Sequence, residues 1–343
     1  MRCRYRCRRC QKSQSGWLDG SLDESGLMPE VLARVHELGV ELPYRRACKL
    51  LARWGVELSK SELARMNERL NEATRTQGEA RLLALAQEAL TAGIGPGRRW
   101  IVEIDGTFVA TYLPQEKRLE WREVKSAIVG RSLVLYPMHS PSERYYLSEL
   151  SSAEVFAEQL HGLLRQAGVR QEDELIGISD GALWIAVLMG DLGVSKHILD
   201  VYHASGYFER LMVALGWSDT RRSKARRRLL EGRIDIQAWL NRHVKDELSL
   251  SEDGQAALSY LKKQALLDHT CYPKFKAQGV EVIGSGQIEG ANKFVIGGRL
   301  KLSGAHWSEQ GARDMAFTRA QYYSRRPLND VHRLRHLAFP QAA

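Results

Sequence analysis

The sequence has no long apolar segment and no segment that resembles a signal peptide. Its longest apolar run, Ala182–Met189, is far shorter than the ~18–20 residues that cross a bilayer. The N-terminus is rich in arginine and lacks the apolar core that secretory signals contain. We therefore expect neither membrane insertion nor secretion.

Cysteine is also scarce, with five residues in 343 and no spacing that predicts paired disulfides. This usage favours a reducing cytoplasm. Cys7 and Cys10 form a CxxC motif, which supplies two of the four ligands that a structural Zn²⁺ ion needs. Because no second CxxC or HxxxH motif follows nearby, zinc would require ligands from another segment or chain. We therefore describe residues 1–26 as a partial zinc-ribbon-like basic segment.

The net charge of +9 is concentrated in three parts of the chain. Residues 1–12 carry +6, residues 216–233 carry +5 and residues 291–343 carry +6, so the remaining residues carry −8. Any one of these runs fits a solvated helix face equally well. Three separate runs favour a polyanionic partner, and nucleic acid is the partner that we expect.

Residues 27–97 are predicted to form an all-helical DNA-binding region. Prolines at positions 29 and 43 begin two short helices, and Ser59 with Glu62 forms a capping-box pattern that opens a third. The arrangement resembles a helix-turn-helix, and a plain helical bundle is nearly as consistent with the pattern. The predicted DNA contacts on the third helix are Lys60, Arg65 and Arg69.

A glycine-rich break at residues 93–97 ends this region. The elements predicted beyond it are strands at 100–104, 123–130 and 144–150, a helix at 151–167, a strand at 175–179, a helix at 182–192 and a strand at 196–201. This order matches an RNase H-like α/β domain. The predicted divisions are the first part of the core (98–204), an all-helical insertion (205–280), the last part of the core (281–325) and a C-terminal tail (326–343).

Two aspartates are predicted to end apolar strands of this domain. Asp105 follows the first strand and Asp180 the fourth, and each precedes a glycine. Ligands of open α/β sheets bind at the carboxyl ends of the strands. An Asp-Gly turn or a helix cap is the better explanation of one such residue, whereas two on adjacent strands favour a functional site.

A third carboxylate, Glu289, follows the Gly284-Ser-Gly286 segment. With Gly286 as the helix cap, Glu289 takes the third helical position, where the helix dipole favours a negative charge. Three carboxylates are hard-oxygen ligands of the kind that Mg²⁺ or Mn²⁺ prefers. Two such ions would activate a water or a 3′-OH and stabilise the leaving oxygen of a phosphodiester.

At these residues the sequence resembles the DDE transposases of bacterial insertion sequences, and most closely the ISKra-type family, which is related to Mutator-like transposases. The resemblance covers nearly the whole chain. The matching stretches are 102–107, 121–126, 179–182, 198–204, 284–293, 299–307 and 311–312. Members usually have more sequence before the CxxC motif, so we expect an N-terminally shortened reading frame.

The resemblance implies that Asp105, Asp180 and Glu289 form a metal-binding triad that holds Mg²⁺ or Mn²⁺, as two ions. It also implies an accessory D-x-x-H motif at Asp200 and His203, although a structural role for the histidine is common. Glu103 lies on the same strand face as Asp105, and we prefer Asp105 as the ligand because the family match falls there.

Further DNA contacts are predicted from basic residues in the insertion and near the third carboxylate. The insertion places Trp217 before its basic run and Trp239 after it, which suits contact with a distorted strand. Packing in the core is the alternative, and we favour it for Trp239. The predicted contacts are Arg221, Arg222, Arg226, Arg227, Lys293, Arg299 and Lys301.

These observations predict a transposase of the bacterial cytoplasm, associated with the nucleoid. It would cleave at the ends of its element and transfer the 3′-OH to target DNA. Its partner would be double-stranded DNA, both terminal inverted repeats and target, and pairing of two ends implies a homodimer or a higher oligomer. The alternatives are an RNase H-like nuclease without strand transfer and a catalytically silent DNA-binding remnant or repressor.

Overall fold

The computed structural model describes residues 2–6, 13–17, 25, 27–131, 144–324 and 337–339. At the N-terminus, strands β1 (Arg2–Arg6) and β2 (Ser13–Trp17) pair in antiparallel register. The proposed zinc ligands Cys7 and Cys10 lie outside the described residues. In the part of the chain that is described, no helix is both long and apolar enough to span a membrane.

Three helices follow: α1 (Pro29–Glu41), α2 (Tyr44–Arg53) and α3 (Lys60–Ala86). The predicted capping box at the start of α3 is confirmed. The Ser59 hydroxyl accepts a hydrogen bond from the Glu62 amide, and the Glu62 carboxylate accepts one from the Ser59 amide. The C-terminal part of α3 packs against the helices of the following α/β region.

A five-stranded mixed sheet forms the centre of the α/β region, as the fold-class prediction required. Its order is β5-β4-β3-β6-β7. Strand β3 pairs antiparallel with β4 and parallel with β6, β4 pairs antiparallel with β5, and β6 pairs parallel with β7. The strands are β3 (Arg99–Leu113), β4 (Arg118–Arg131), β5 (Arg144–Glu149), β6 (Glu174–Ser179) and β7 (Lys196–Leu199).

Alternation along the central strands divides the apolar side chains between the two faces of this sheet. Val102 and Ile104 pack with α4 (Ala153–Ala167) and α5 (Leu183–Asp191). Ile101 and Ile176 on the other face pack with helices of the insertion. Those helices are α6 (Val201–Ala214), α7 (Asp219–Leu230), α8 (Ile236–His243), α9 (Glu252–Leu266) and α10 (Tyr272–Ala277).

The glycine-containing segment 284–286 predicts the start of a long helix through Leu300, and the structure differs from that prediction. The helical segment consists of α11 (Gly286–Ala291), a π-helical segment (Asn292–Gly297) and α12 (Gly298–Leu300). A π-helical turn locally widens a helix and often occurs at functional sites. Helix α13 (Glu309–Tyr323) then packs against α3, β5 and the π-helical segment.

Candidate active site

The first two candidate carboxylates emerge side by side on the sheet, although not both at strand ends. Asp180 directly follows the last residue of β6, as predicted. The prediction that the first strand ends before Asp105 is wrong, because β3 continues as a long hairpin and pairs Asp105 with Ser126 of β4. The parallel pairing of β3 with β6 nevertheless stops at Ile104 and Ser179. Each aspartate therefore lies one residue beyond the end of that pairing.

The negative charges of Asp180 and Glu289, the other two candidates, both act on Asp105. Burial raises the pKa of this partly buried carboxyl group, and the negative charges of Asp180 and Glu289 raise it further. The amide group of Asn292 opposes this shift, because its Nδ2 atom donates a hydrogen bond of 2.8 Å to Asp105 Oδ2. Three carboxylates from distant parts of the chain thus lie close enough for their charges to interact.

Helix α11 presents the third carboxylate. Ser285, rather than Gly286, is the cap of this helix, so Glu289 occupies the fourth helical position instead of the predicted third. Its side chain is exposed, and Asn292 follows three residues later, on the same side of the helix. The residue that hydrogen bonds to Asp105 is therefore a neighbour of Glu289.

Glu103 attaches α11 to the central strand. It is 1% exposed, and its Oε2 atom accepts a hydrogen bond of 2.9 Å from the amide of Ile288. Burial raises the pKa of Glu103 to about 8, while this amide and the positive charge of Arg144 partly oppose the shift. Glu103 and Asp105 lie on one face of β3 and contact α11 and the start of the π-helical segment, respectively. Glu103 therefore has a structural role, as the hydrogen-bond acceptor that joins α11 to β3.

The donor set fits a divalent cation in its chemistry. Asp105, Asp180 and Glu289 provide hard carboxylate oxygens whose mutual repulsion a cation would relieve. The Oδ1 atom of Asn292 is buried without a hydrogen-bond partner beside Asp105. Among the described residues, however, no three His, Cys, Asp or Glu side chains are gathered tightly enough to form a metal-binding group. The three carboxylates are close enough for their charges to interact, but they do not surround a single point.

The turn that carries Asp180 is held by helix α9 of the insertion. The Tyr260 hydroxyl donates a hydrogen bond to the Asp180 carbonyl, and Gln264 Nε2 donates one of 3.1 Å to the Gly181 carbonyl. Gly181 has a φ of 81°, and Gln264 Nε2 lies 2.6 Å from the position that a Cβ atom would occupy there. Both the backbone conformation and the close approach of Gln264 therefore require glycine after Asp180.

A second set of contacts supports this turn from within the sheet. The Ser179 hydroxyl lies 2.8 Å from Nε2 of His197 and accepts a hydrogen bond from the Gly181 amide. The ring of His197 is 4.0 Å from that of His269, whose Nδ1 atom lies 2.8 Å from Gln264 Oε1. Burial, and then the neighbouring His269, lower the pKa of His197 to about 3. These residues link the Asp180 turn to both β7 and α9.

The Tyr260 hydroxyl gives a specific prediction. We expect Tyr260→Phe to slow, about 5-fold, the DNA cleavage that the sequence predicts, because loss of a hydrogen bond worth about 1 kcal/mol frees the Asp180 turn. Tyr207, which stacks on Tyr260 at 3.9 Å, would hold the phenyl ring in place. Cleavage rates and DNA affinity would be measured on the same protein samples, and the affinity should not change.

Tyr272→Phe is the matched control for this substitution. The Tyr272 hydroxyl also donates to a backbone carbonyl, but that carbonyl belongs to Leu199 at the end of β7 and not to the Asp180 turn. The two variants should lose similar free energy of unfolding, and only Tyr260→Phe should lose activity. An equal loss of activity in both would mean that the effect is general destabilisation.

The two predicted accessory residues have different surroundings. Asp200 is 2% exposed and caps α6, since its carboxylate accepts hydrogen bonds from the amides of Tyr202 and His203. Its Oδ1 atom also accepts one of 2.9 Å from the Ser285 amide, which fixes the segment before α11. The His203 ring is exposed and lies 5.6 Å from that of Tyr207. Asp200 therefore has a clear structural role, whereas His203 is accessible.

One predicted DNA contact, Arg299, is not placed to make one. Its side chain is 4% exposed, donates to the Gly39 carbonyl and lies over the rings of Tyr44 and Trp307 at 4.6 and 4.8 Å. This packing joins α1 and α2 to the α12 segment. Charge and position alone could not reveal it in the sequence.

Other predicted contacts remain on the surface, with different partners. Lys293 is exposed, and Lys301 donates to the Thr107 hydroxyl and interacts electrostatically with Asp105. Arg222 forms ion pairs with Glu209 and Asp219 and is therefore largely neutralised. The remaining predicted contacts with exposed side chains are Lys60, Arg65, Arg69, Arg221, Arg226 and Arg227.

Sequence reasoning missed the residues that support the site. Tyr260, Gln264, His197 and His269 occur in no motif and lie up to 89 positions from Asp180 in the chain. Only the polar character of Gln264 within an amphipathic helix hinted at a buried role, since it is 2% exposed.

Neither a known protein-family model nor a curated protein matches the chain at a significant level.

Proposed function

We propose that this protein is a DNA transposase of the insertion-sequence type. It would cleave DNA at the ends of its element and join the freed 3′-OH to target DNA. The observation that carries the proposal is the interaction of Asp105 with the charges of both Asp180 and Glu289. These residues come from β3, the end of β6 and α11, and the charges of the other two act on Asp105 although all three lie far apart in the sequence.

The sheet supports an RNase H-like core as part of this proposal. Three strands joined as antiparallel neighbours are followed by two strands that extend the sheet in parallel on the other side of β3. The helical insertion lies between β7 and α11, and therefore between the second and third carboxylates. Both features agree with the architecture that the resemblance implies.

Asp105, Asp180 and Glu289 are the residues that would hold Mg²⁺ or Mn²⁺. When bound, these ions would activate the attacking oxygen and stabilise the leaving oxygen of the phosphodiester. The chain itself orients the carboxylates. Asn292 donates a hydrogen bond to Asp105 through Nδ2. Tyr260 and Gln264 fix the backbone by donating hydrogen bonds to the carbonyls of Asp180 and Gly181, respectively. Lys301 places a positive charge near Asp105, where it can contact a phosphate.

A strand-transfer assay separates this function from that of a nuclease. A labelled duplex that ends in the inverted repeat, already cut at its 3′ end, would be mixed with plasmid and Mn²⁺. We expect the label to become joined covalently to the plasmid. Cutting of an uncut duplex without any joining would instead favour an RNase H-like nuclease. Binding without either reaction would favour a silent remnant or repressor.

A further inference from the structure

A basic cleft lies between α7 and α8 of the insertion, in addition to the carboxylate site. It has a volume of about 380 Å³, which falls within the range of small-ligand sites. The residues that define this α7–α8 cleft are Trp217, Arg221, Lys224, Arg228, Arg242 and His243. Arg221, Lys224 and Arg228 recur at helical spacing and line one side of α7, and Trp217 lies two residues before that helix.

Four of the cations that line the cleft are not neutralised by the protein, whereas a fifth, Arg233, pairs with Glu231. Within the described chain, no carboxylate forms an ion pair with Arg221, Lys224, Arg228 or Arg242. The acidic residue in the lining, Asp235, caps α8 by accepting a hydrogen bond of 2.8 Å from the Ala238 amide. Burial, and then the positive charges of Arg221 and Arg242, lower the pKa of His243. The cleft therefore has a positive potential that an anion would satisfy.

Aromatic rings form one wall and the floor of the same cleft. Trp239 is 8% exposed and packs against Phe208 at 4.5 Å, so it belongs to the core, as we favoured from the sequence. Trp217 is only partly buried. Its ring lies 5.1 Å from that of His243, at 90°, and the guanidinium carbon of Arg221 lies 3.6 Å from its centroid. Arg221 already lies flat on the Trp217 ring, and a flat base can take its place there in the same way.

We propose that the α7–α8 cleft binds one unpaired nucleotide of a DNA strand, with its base on Trp217 and its phosphates on Lys224, Arg228 and Arg242. A paired base has both faces covered by its neighbours in the duplex, whereas an unpaired base can enter a concave site and stack on an aromatic ring. The inference rests on the proposed function, since it supposes that the polyanion is DNA. The proposal assigns no nucleotide contact to Arg222, because Glu209 and Asp219 neutralise its charge.

The test compares two labelled duplexes without divalent metal, so that binding is measured independently of cleavage. One duplex is fully paired, and the other carries a single unpaired 2-aminopurine. We expect wild-type protein to bind the second about 10-fold more tightly and to quench its fluorescence by stacking. Lys224→Gln with Arg228→Gln should remove this preference and reduce the salt dependence of binding by about 0.7 for each lost phosphate contact.

Matched variants separate the cleft from a general loss of charge. Arg81→Gln with Lys263→Gln removes the same two charges from exposed positions outside the cleft and should bind as wild type does. Trp217→Leu should lose the quenching, and Trp217→Phe should retain part of it. Equal wild-type affinity for both duplexes would overturn the proposal, as would an equal loss in the control variant or tighter binding of the matching RNA strand. Absence of all DNA binding would instead overturn the proposed function.

Discussion

Replacing Asp180 by Asn is expected to reduce DNA cleavage by about 10³-fold or more while leaving the fold intact. A reaction at a phosphodiester develops negative charge, and removing a group that stabilises it through bound cations is among the largest effects of a single substitution. Asn keeps the shape of the side chain, and its amide oxygen can still accept the 2.9 Å hydrogen bond from the Ala182 amide. The contact of Tyr260 with the Asp180 carbonyl involves only the backbone.

The same substitution should not destabilise the protein. Asp180 raises the pKa of Asp105 through repulsion, so its neutralisation relieves an unfavourable interaction in the metal-free fold. We expect a free energy of unfolding equal to or slightly above that of wild type, as is common when a functional charge cluster is removed. Asp191→Asn, at the exposed end of α5, makes the same charge change as a control. A variant that cleaves normally, or one that unfolds, would contradict this account of Asp180.

Acid should destabilise the protein through His197. Its pKa is lowered from 6.5 to about 3 in the folded chain, mainly by burial and then by His269. The unfolded chain therefore binds a proton as the pH falls below 6.5, and the folded chain does so only near pH 3. Stability present above pH 6.5 is lost through this window. The loss amounts to about 2–3 kcal/mol at about pH 4.5 and up to about 5 kcal/mol near pH 3.

His197→Gln isolates this contribution. Glutamine remains neutral and can still hydrogen bond to the Ser179 hydroxyl, which His197 approaches at 2.8 Å. Chemical unfolding at several pH values should show a variant whose stability falls less than that of wild type between pH 6.5 and 4. His306→Gln, at an exposed position, should follow wild type. Parallel pH profiles for wild type and His197→Gln would show that His197 does not titrate in this way.

The order of the elements in the α/β region could be predicted from the sequence because local patterns report it directly. Short apolar runs mark the strands, and the capping pattern at Ser59 marks the start of α3. The end of β3 was missed for a physical reason. Beyond Asp105, β3 stays paired with β4, but its residues no longer form a buried apolar run because this part of the hairpin is partly exposed.

The candidate site was accessible from the sequence only in part. Asp105 and Asp180 follow apolar runs of the sequence, which is a visible signal, and Glu289 follows a glycine-rich helix start. The supporting contacts depend on how α9 packs on the Asp180 turn, and no local pattern encodes that packing. Arg299 illustrates the opposite error, since an arginine buried between Tyr44 and Trp307 has the same sequence signal as one on a DNA-binding surface.

The most direct test of the account is the cleavage rate of a labelled inverted-repeat duplex as Mn²⁺ is titrated, for wild type, Asp105→Asn and Glu289→Gln. Glu281→Gln, an exposed acid shortly before α11, serves as the control. The account predicts that wild type and the control cleave only when Mn²⁺ is present and stop when a chelator is added, while both site variants remain inactive. Cleavage that persists in chelator, or that survives either substitution, would contradict the claim that these carboxylates form one metal-dependent site.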